Sequence, residues 1–456
     1  MSAARLAQPP RAVHLPPPEG RGALWHAEKV PRLSEDLAFR GLVQQVSDPE
    51  LLPLLDKGGV TAYIGFDPTA DSLHIGNLLQ LCNLRRLQLA GNRPIVLAGG
   101  ATGMIGDPGG KSEERQLRTR EEIEANLVGI RTELERFLDF SEAAGPTRAV
   151  LEDNADWLYD YPLVEFLRDV GKHFTVNQMV AKEMVRNRLE NPEESISFTE
   201  FSYMLLQATD FLRLFDEHDC RLQMGASDQW GNITMGIDLI RRSRNAKAYA
   251  LTCPLVLKAD GTKFGKSESG AVFLSPRRTS PYALYQFFLR TEDEMVGTHL
   301  RYFTFLEHEE ILALDVESRE RPGARAAQRR LAEEVVLLVH GPAELHRAVA
   351  ASEALYSEDL AALDEETLLM ALADAPSSEV ARSILDAGWP VVDALVQSGL
   401  VASKAQARTT VAQGGAYLNN RRVREPEQQV AAEDLIAGRY LVLRRGRREL
   451  HLVRFT

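Results

Sequence analysis

The chain has 456 residues, 44% of them hydrophobic and 26% charged, and a formal net charge of −12. This is enough apolar chain for a large core and about two to four domains. Cys82, Cys220 and Cys253 stand too far apart for a ligand cluster or a disulfide framework, so each reads as a small buried hydrophobe in a reducing compartment, the cytoplasm. No apolar run approaches the roughly 20 residues of a membrane span, and residues 1–33 lack an apolar signal core.

In chain order, residues 1–33 are rich in Pro, basic before Glu19, and read as a flexible extension; an organellar transit peptide is the weaker alternative, because the segment has little Ser and no clear amphipathic period. Val60, Ala62 and Ile64 alternate with Thr61 and Tyr63 at a strand period. Leu78, Leu81, Leu84 and Leu87 then recur at helical spacing until Gly91, and a second strand covers Pro94 to Ala98. Strand, helix and strand with short connections make a right-handed crossover, whose ligand crevice lies where the first strand gives way to the helix. His74-Ile75-Gly76-Asn77 sits at that mouth. There the free N–H groups and positive end of the helix face a phosphate, Gly76 admits a nucleotide, and His74 can donate to a phosphoryl oxygen. Alone, His-x-Gly would usually be a structural histidine beside a turn.

Further strands are expected near Arg148–Glu152, Cys220–Gly225 and Tyr249–Leu257, followed by a polar, Gly-containing loop over 258–272. The pattern turns helical from Pro281 to Gly341, then acidic and less regular to about 387. Residues 401–456 hold 11 Lys and Arg against 5 Asp and Glu, a net +6, which leaves −18 for residues 1–400. An acidic body thus carries a basic tail. Within the tail Ser403 reads as a helix cap, Lys404 and Arg408 share one face, and Gly414-Gly415 ends the helix. Tyr417, Arg421, Arg422, Arg424, Arg444, Arg445, Arg447 and Arg448 add the positive surface that a phosphate backbone attracts. Two other chemistries fail on spacing. Gly110-Lys111-Ser112 would need Gly at 105 to be a phosphate-binding P-loop, and Ile105 stands there; His308-Glu309 would need His at 312 for a zinc protease, and Leu312 stands there.

Gly65-Phe66-Asp67-Pro68-Thr69-Ala70-Asp71-Ser72-Leu73-His74-Ile75-Gly76 closely resembles the first signature of bacterial tyrosyl-tRNA synthetases, class I enzymes with a Rossmann-type catalytic domain. Lys263-Phe264-Gly265-Lys266-Ser267 is similar to the second. The Gly-rich tract Gly99–Gly110, the run Ser197–Leu214 and Gly225–Asn232 fit the same family in the same order, over roughly residues 34 to 456. The resemblance implies an α/β fold with a parallel sheet. It divides the chain into the extension 1–33, a Rossmann-type catalytic domain 34–257, a catalytic signature loop 258–272, a helical anticodon-side domain 273–341, a linker 342–387, and an S-four type RNA-binding domain of α+β build over 388–456.

The implied reaction is attack of the tyrosine carboxylate on the α-phosphate of ATP, followed by transfer to tRNA(Tyr). The nucleophile arrives ionised, so the site must supply positioning and positive potential rather than a general base. By resemblance His74, Lys263 and Lys266 do this, with Lys111 and Arg115 on a loop after the Gly-rich tract. Magnesium accompanies the ATP, and no metal bound by the protein itself is expected. Tyr63 and Asp210 match the positions that hold the tyrosine phenol; Asp107, Tyr203 and Gln207 match those that face its ammonium group. Tyr203, Gln207 and Asp210 recur at i, i+4 and i+7, one side of one helix. Asp67, Thr69, Gly76, Asp228 and Gln229 are the implied contacts to the nucleotide and the tyrosine carboxyl. Asn77 departs from the pattern, since many members carry a second histidine there; an amide can donate to ribose or phosphate but carries no charge. Lys404, Arg408, Arg421 and Arg422 are the expected tRNA contacts, and a homodimer is expected by resemblance alone. Tryptophanyl-tRNA synthetases and pantothenate-synthetase-like nucleotidyltransferases share the His-x-Gly site, but neither is expected to pair it with Tyr63, Asp210 and a basic tail. A non-catalytic RNA-binding relative is opposed by the intact His74, Lys263, Lys266 and Asp107.

Overall fold

Six strands build the first sheet: β1 (Gln45–Val46), β2 (Thr61–Phe66), β3 (Arg93–Ala98), β4 (Val150–Asp153), β5 (Cys220–Ala226) and β6 (Tyr249–Cys253), in the spatial order β1-β6-β5-β2-β3-β4. The last five run parallel, and β1 closes one edge antiparallel to β6. The computed structural model describes residues 32–107, 118–191, 195–259, 261–262, 264–267, 270–354, 360–361, 363–373, 375–446 and 449–456, the side chains of Met184, Lys266 and Ser267 excepted. The strand expected to run to Leu257 stops at Cys253, because Pro254 has no N–H to continue the ladder. β2 is buried everywhere but Gly65. Its alternation in the sequence therefore does not mark one wet face; helices cover both faces of a parallel sheet.

From β2 the chain moves to β3 and β4 on one side, while β5 and β6 lie on the other. The winding reverses between β2 and β5, so the loops that leave their carboxyl ends part and open a crevice. Helix Ile75–Leu89 fills the crossover from β2 to β3 and is buried nearly all round, Gln80, Asn83 and Arg86 included. Downstream come the short hairpin β7 (Lys266–Ser267) and β8 (Gly270–Ala271), then a helical body: Pro281–Leu289, Asp293–Phe303, His308–Glu320, Ala326–His340 and Pro342–Ala354. One apolar cluster runs unbroken from Leu33 through the sheet to Ala348. Residues 342–354, expected to begin a linker, thus continue the helical body.

A polar cluster locks this body to the sheet domain. The last carbonyls of any helix lack intrahelical donors, and those after Asp293–Phe303 are supplied by two buried arginines. Arg86 donates to the carbonyls of Arg301, Tyr302 and Thr304 at 3.2, 3.0 and 2.9 Å. Arg40 donates to those of Arg301, Thr304 and Leu306 at 3.2, 3.0 and 2.8 Å. Asp36 balances the charge, 2.7 Å from Arg40, 2.8 Å from His308 and 3.7 Å from Arg86. Burial alone would raise the Asp36 carboxyl, but these neighbours outweigh it and hold it below the ordinary range. Burial pulls the Arg86 guanidinium down to about 10, which still leaves it charged at neutral pH.

The C-terminal region has its own core around Trp389, Leu395, Val411, Leu441 and Phe455. Its strands are β9 (Ser377–Val380), β10 (Trp389–Pro390), β11 (Ala416–Leu418), β12 (Arg421–Arg422), β13 (Gln429–Val430), β14 (Tyr440–Arg445) and β15 (Glu449–Phe455). Five of them form a sheet ordered β12-β11-β14-β15-β9, and β10 pairs with β13. β9 lies within the expected linker yet pairs parallel with β15, so that stretch ends inside the C-terminal sheet. Helix Glu365–Ala371 joins the two bodies: Leu368 packs with Ile436, Tyr440 and Val442, and the Tyr440 hydroxyl donates to Glu365 at 2.6 Å. No described helix is long and apolar enough to cross a membrane.

Replacing Arg86 with Ala takes three hydrogen bonds from the end of helix Asp293–Phe303, leaves the Tyr302 carbonyl without its arginine donor and removes one of the positive charges that balance Asp36 in the interior. We expect a loss of about 3–5 kcal/mol of unfolding free energy by urea titration. Arg120→Ala, which breaks an exposed pair with Glu124, should leave the urea midpoint nearly unchanged.

Candidate active site

The crevice between β2 and β5 gathers the two signature segments. His74 is the N-cap of helix Ile75–Leu89, with an extended backbone, and its own N–H donates to the Asn77 side-chain carbonyl at 3.1 Å. The Asn77 carbonyl oxygen thus closes the helix end from within, a bond that does not use the side-chain NH2 expected to donate to ribose or phosphate. Gly76 also has a second reason to be glycine. A Cβ there would stand 2.8 Å from the His74 ring, so the missing side chain makes room for the imidazole as well as for a ligand. Burial lowers the imidazole's pKa, so at neutral pH the ring is uncharged and offers a single N–H.

The segment after the second signature is bonded to the first through the backbone, and its Val272 N–H donates back to the Gly265 carbonyl at 3.0 Å. Ile75 donates to the Val272 carbonyl at 2.9 Å, and Leu274 donates to that of Leu73 at 2.8 Å. Gly265, at φ +97°, passes so close that a Cβ would meet Ile75 Cγ2 at 2.4 Å. Phe264 points the other way, into a socket of Phe287, Phe288, His299 and Phe303 from the helical body, with ring centroids 4.5 to 6.1 Å apart.

The inner pocket is built from helix Phe198–His218. Its N-cap Ser197 and Glu200 form a capping box, and the helix carries Tyr203, Gln207 and Asp210 on one side, as the spacing required. Asp210 is fully enclosed. Asn154 Nδ2 donates to one carboxylate oxygen at 3.0 Å and Trp157 Nε1 to the other at 2.9 Å. Burial dominates and pushes its pKa up to about 7, although those two hydrogen bonds pull the other way. Tyr63 lies beside it, and its hydroxyl is buried without a hydrogen-bond partner among the described residues. Tyr203 donates to Asp67 at 2.9 Å, and Thr102 donates to the other oxygen of Asp67 at 2.9 Å. Asp67 is therefore tied to the Tyr203 side of the pocket. A relay of amides follows: Asn232 donates to Gln207 at 3.1 Å, Gln207 to Gln229 at 3.3 Å, and Gln229 to Asp107. Asp228 is exposed in the single turn after β5, and Thr69 is half-buried in the turn after β2.

Asn154, Trp157, Thr102 and Asn232 are site residues that the sequence reading missed. Asn154 is the most connected: it also accepts from the Ala101 N–H at 2.8 Å and donates to Thr102 at 2.9 Å, which fixes the Gly-rich tract to Asp210. Its position just past the carboxyl end of β4 was the available signal.

Two family models match the chain. One, described as tRNA synthetases class I (W and Y), covers residues 56–357; the other, described as Tyrosine--tRNA ligase SYY-like C-terminal domain, covers 368–453. The chain belongs to the class I tryptophanyl- and tyrosyl-tRNA synthetases. It is similar to the tyrosine--tRNA ligase of Opitutus terrae, 51% identical over 92% of this chain and 99% of that one. The ligase of Bacillus caldotenax is 50% identical over 93% and 100%. Among solved structures, a C-terminally truncated Aspergillus nidulans mitochondrial tyrosyl-tRNA synthetase matches with a TM-score of 0.64 at 32% identity, over 72% of this chain and 95% of that one. The Archaeoglobus fulgidus tyrosyl-tRNA synthetase, at 17% identity over 70% and 99% and a TM-score of 0.51, shares the fold.

Of the residues expected at the site, His74, Gly76, Asn77 and the Phe264-Gly265 pair meet at the crevice; Tyr203 is bonded to Asp67, Gln207 is bonded through Gln229 to Asp107, and Tyr63 lies beside Asp210. Lys111, Arg115 and Lys263 lie outside the described residues, and Lys266 is described by its backbone in β7 alone. In the tail, Ser403 caps helix Lys404–Ala412 as expected, with Lys404, Arg408, Arg421 and Arg422 all exposed. Lys404 is already paired with Asp393 at 2.7 Å. Arg444 is a correction: at 6% exposure it is interior, because β14 is the middle strand of its sheet. Arg447 and Arg448 lie outside the described residues.

Two outcomes follow from this geometry. Gly265→Ala should cost about 1–3 kcal/mol of stability and slow adenylate formation, whereas Gly261→Ala, with nothing within 4 Å of its Cβ, should show only a backbone cost. Urea titration and pyrophosphate exchange check both. A protonated Asp210 is a weaker acceptor than the carboxylate; if it holds the phenol, kcat/KM for tyrosine should rise with pH through an apparent pKa of about 7. Trp157→Phe removes a bond that lowers this pKa and should move the limb to higher pH.

Proposed function

We propose that this chain works as a tyrosine--tRNA ligase in which Tyr63 and Asp210 read the substrate phenol. The observation that carries the reading is the pairing of a buried, unpartnered Tyr63 hydroxyl with a buried carboxylate. An unmet buried hydroxyl costs about 1–3 kcal/mol, a cost that a phenol accepting from Tyr63 and donating to Asp210 removes. Phenylalanine would leave the Tyr63 hydroxyl unmet and offer no donor to the remaining lone pairs of Asp210, and so be rejected without editing; tyrosyl-tRNA synthetase is the standard example of that effect. The substrate ammonium faces Asp107, Tyr203 and Gln207, and Gln229 lies near its carboxylate. ATP lies over Gly76 with its phosphates toward Thr69 and His74, Asp67 and Asp228 near the adenosine, and Asn77 shaping the helix end. Lys263 and Lys266, with Lys111 and Arg115, supply charge to the α-phosphate and the leaving pyrophosphate, and magnesium comes with the ATP as part of the substrate.

The second half-reaction needs tRNA. An acidic body has little long-range attraction for a polyanion, so the basic tail, through Lys404, Arg408, Arg421 and Arg422, supplies it. We also propose a homodimer. Leu163, Val164 and Phe198 are 71%, 76% and 79% exposed on segments flanking the pocket, an apolar surface that a second copy would cover. The free cysteines, all buried, suit a cytoplasmic enzyme.

Pyrophosphate exchange with each amino acid in turn tests the reading. Tyrosine alone should support it, and Asp210→Asn should lose far more activity with tyrosine than with phenylalanine. Equal loss for both would reduce Asp210 to a structural role. Truncation after residue 354 keeps the helical body whole. It should preserve adenylate formation and abolish efficient transfer to tRNA; unimpaired charging would refute the role given to the tail.

A further inference from the structure

Helix Arg120–Phe137 lies against the loop that carries the first signature, and three of its residues touch that loop in register. Asn126 Nδ2 donates to the Pro68 carbonyl at 3.0 Å. At Gly129 the helix comes so near that a Cβ would stand 2.0 Å from the Asp71 carbonyl oxygen. Glu133 Oε2 accepts from the Leu73 N–H at 2.9 Å. Spacings of three and four place all three on one helix face. They meet the loop at its start, middle and end, with Thr69 between the first two contacts and His74 directly after the last.

The carboxylate is a costly choice for this task. Glu133 is 7% exposed, and neutral side chains can accept from an amide without the penalty of burying a charge. The other side of the loop is held separately: Asp71 pairs with Arg278 at 2.9 Å, and the Ser275 N–H donates to the Ser72 hydroxyl at 3.0 Å. The loop is thus gripped between the helix and the strand-like segment after the second signature.

We propose that the Asn126–Gly129–Glu133 face is a rail that sets the position of the phosphate-facing loop, with Glu133 a positioning residue acting on adenylate formation through His74. The inference rests on the reading that His74 meets the ATP phosphates. Misplacing a catalytic group by about 1 Å can cost roughly 100-fold in rate, so removal of the carboxylate should appear in kcat rather than in substrate binding.

The test measures pyrophosphate-exchange kcat, KM for ATP and tyrosine affinity by equilibrium dialysis in the full chain. Glu133→Ala should lower kcat by about 10- to 100-fold, with tyrosine affinity within about twofold of the parent. Glu133→Gln keeps an acceptor oxygen but not the stronger bond to a charged one, and should recover part of the loss. Asn126→Ala, a half-buried site, should lower kcat several-fold and serves if Glu133→Ala does not fold. His74→Ala and the double variant complete a cycle, in which the Glu133 effect should largely vanish once His74 is gone. If His74→Ala itself leaves kcat unchanged, the reading of the phosphate site fails. If His74→Ala is slow while folded Glu133→Ala or Asn126→Ala runs at the parent rate, the rail is wrong. Fully additive effects, or equal losses in tyrosine affinity and kcat, would likewise overturn it.

Discussion

The catalytic half depends on the backbone bonds that lay Val272–Leu274 alongside Leu73–Ile75. These two short segments are far apart in sequence, and nothing in either one alone specifies the other's position. Once the Ile75 and Leu274 amides are satisfied, Gly265 is forced over Ile75 and Phe264 is turned into the aromatic socket of the helical body. Buried amides have few alternatives to such pairing, since an unmet N–H is penalised by the full cost of its desolvation. The signature loop is therefore positioned from three directions: the helix that begins at Ile75, the helical body behind Phe264, and helix Arg120–Phe137 under the first loop.

That arrangement ties the helical body to the chemistry by packing. The Arg40, Arg86 and Asp36 cluster clamps the end of helix Asp293–Phe303, and the same helix contributes His299 and Phe303 to the socket around Phe264. A displacement of this helix would have to break the arginine bonds to its terminal carbonyls or carry the signature loop with it. Close-packed interiors transmit such shifts because they have little free volume to absorb them.

The pocket follows a different principle, desolvation set against specific donors. Asp210 is kept from water, so its carboxyl titrates near neutrality; Asn154 and Trp157 limit the rise. Both donors leave lone pairs on the carboxylate, which can accept about four hydrogen bonds in all. The arrangement prepares an acceptor beside the Tyr63 hydroxyl while leaving that hydroxyl unmet.

Local pattern made much of this legible. The crossover at residues 60–98, the trio Tyr203, Gln207 and Asp210 on one helix face, the Ser403 cap and the separation of an acidic body from a basic tail all follow from periodicity, capping and charge, which act over a few residues. Chain separation hid the rest. Asn154 and Trp157 become site residues only because β4 ends beside helix Phe198–His218. Arg86 reads as an ordinary helix arginine until the end of a distant helix supplies its acceptors, and Arg444 reads as surface charge until β14 proves to be an inner strand. Even Gly76 and Asn77, placed correctly at the helix mouth, have part of their purpose in fitting the His74 ring and capping its backbone. Sequence alone determined which elements form and which residue types reach the crevice, because those depend on near neighbours along the chain; which buried polar groups find each other was decided by tertiary structure, since a hydrogen bond or a missing Cβ has meaning only against the atom packed opposite it.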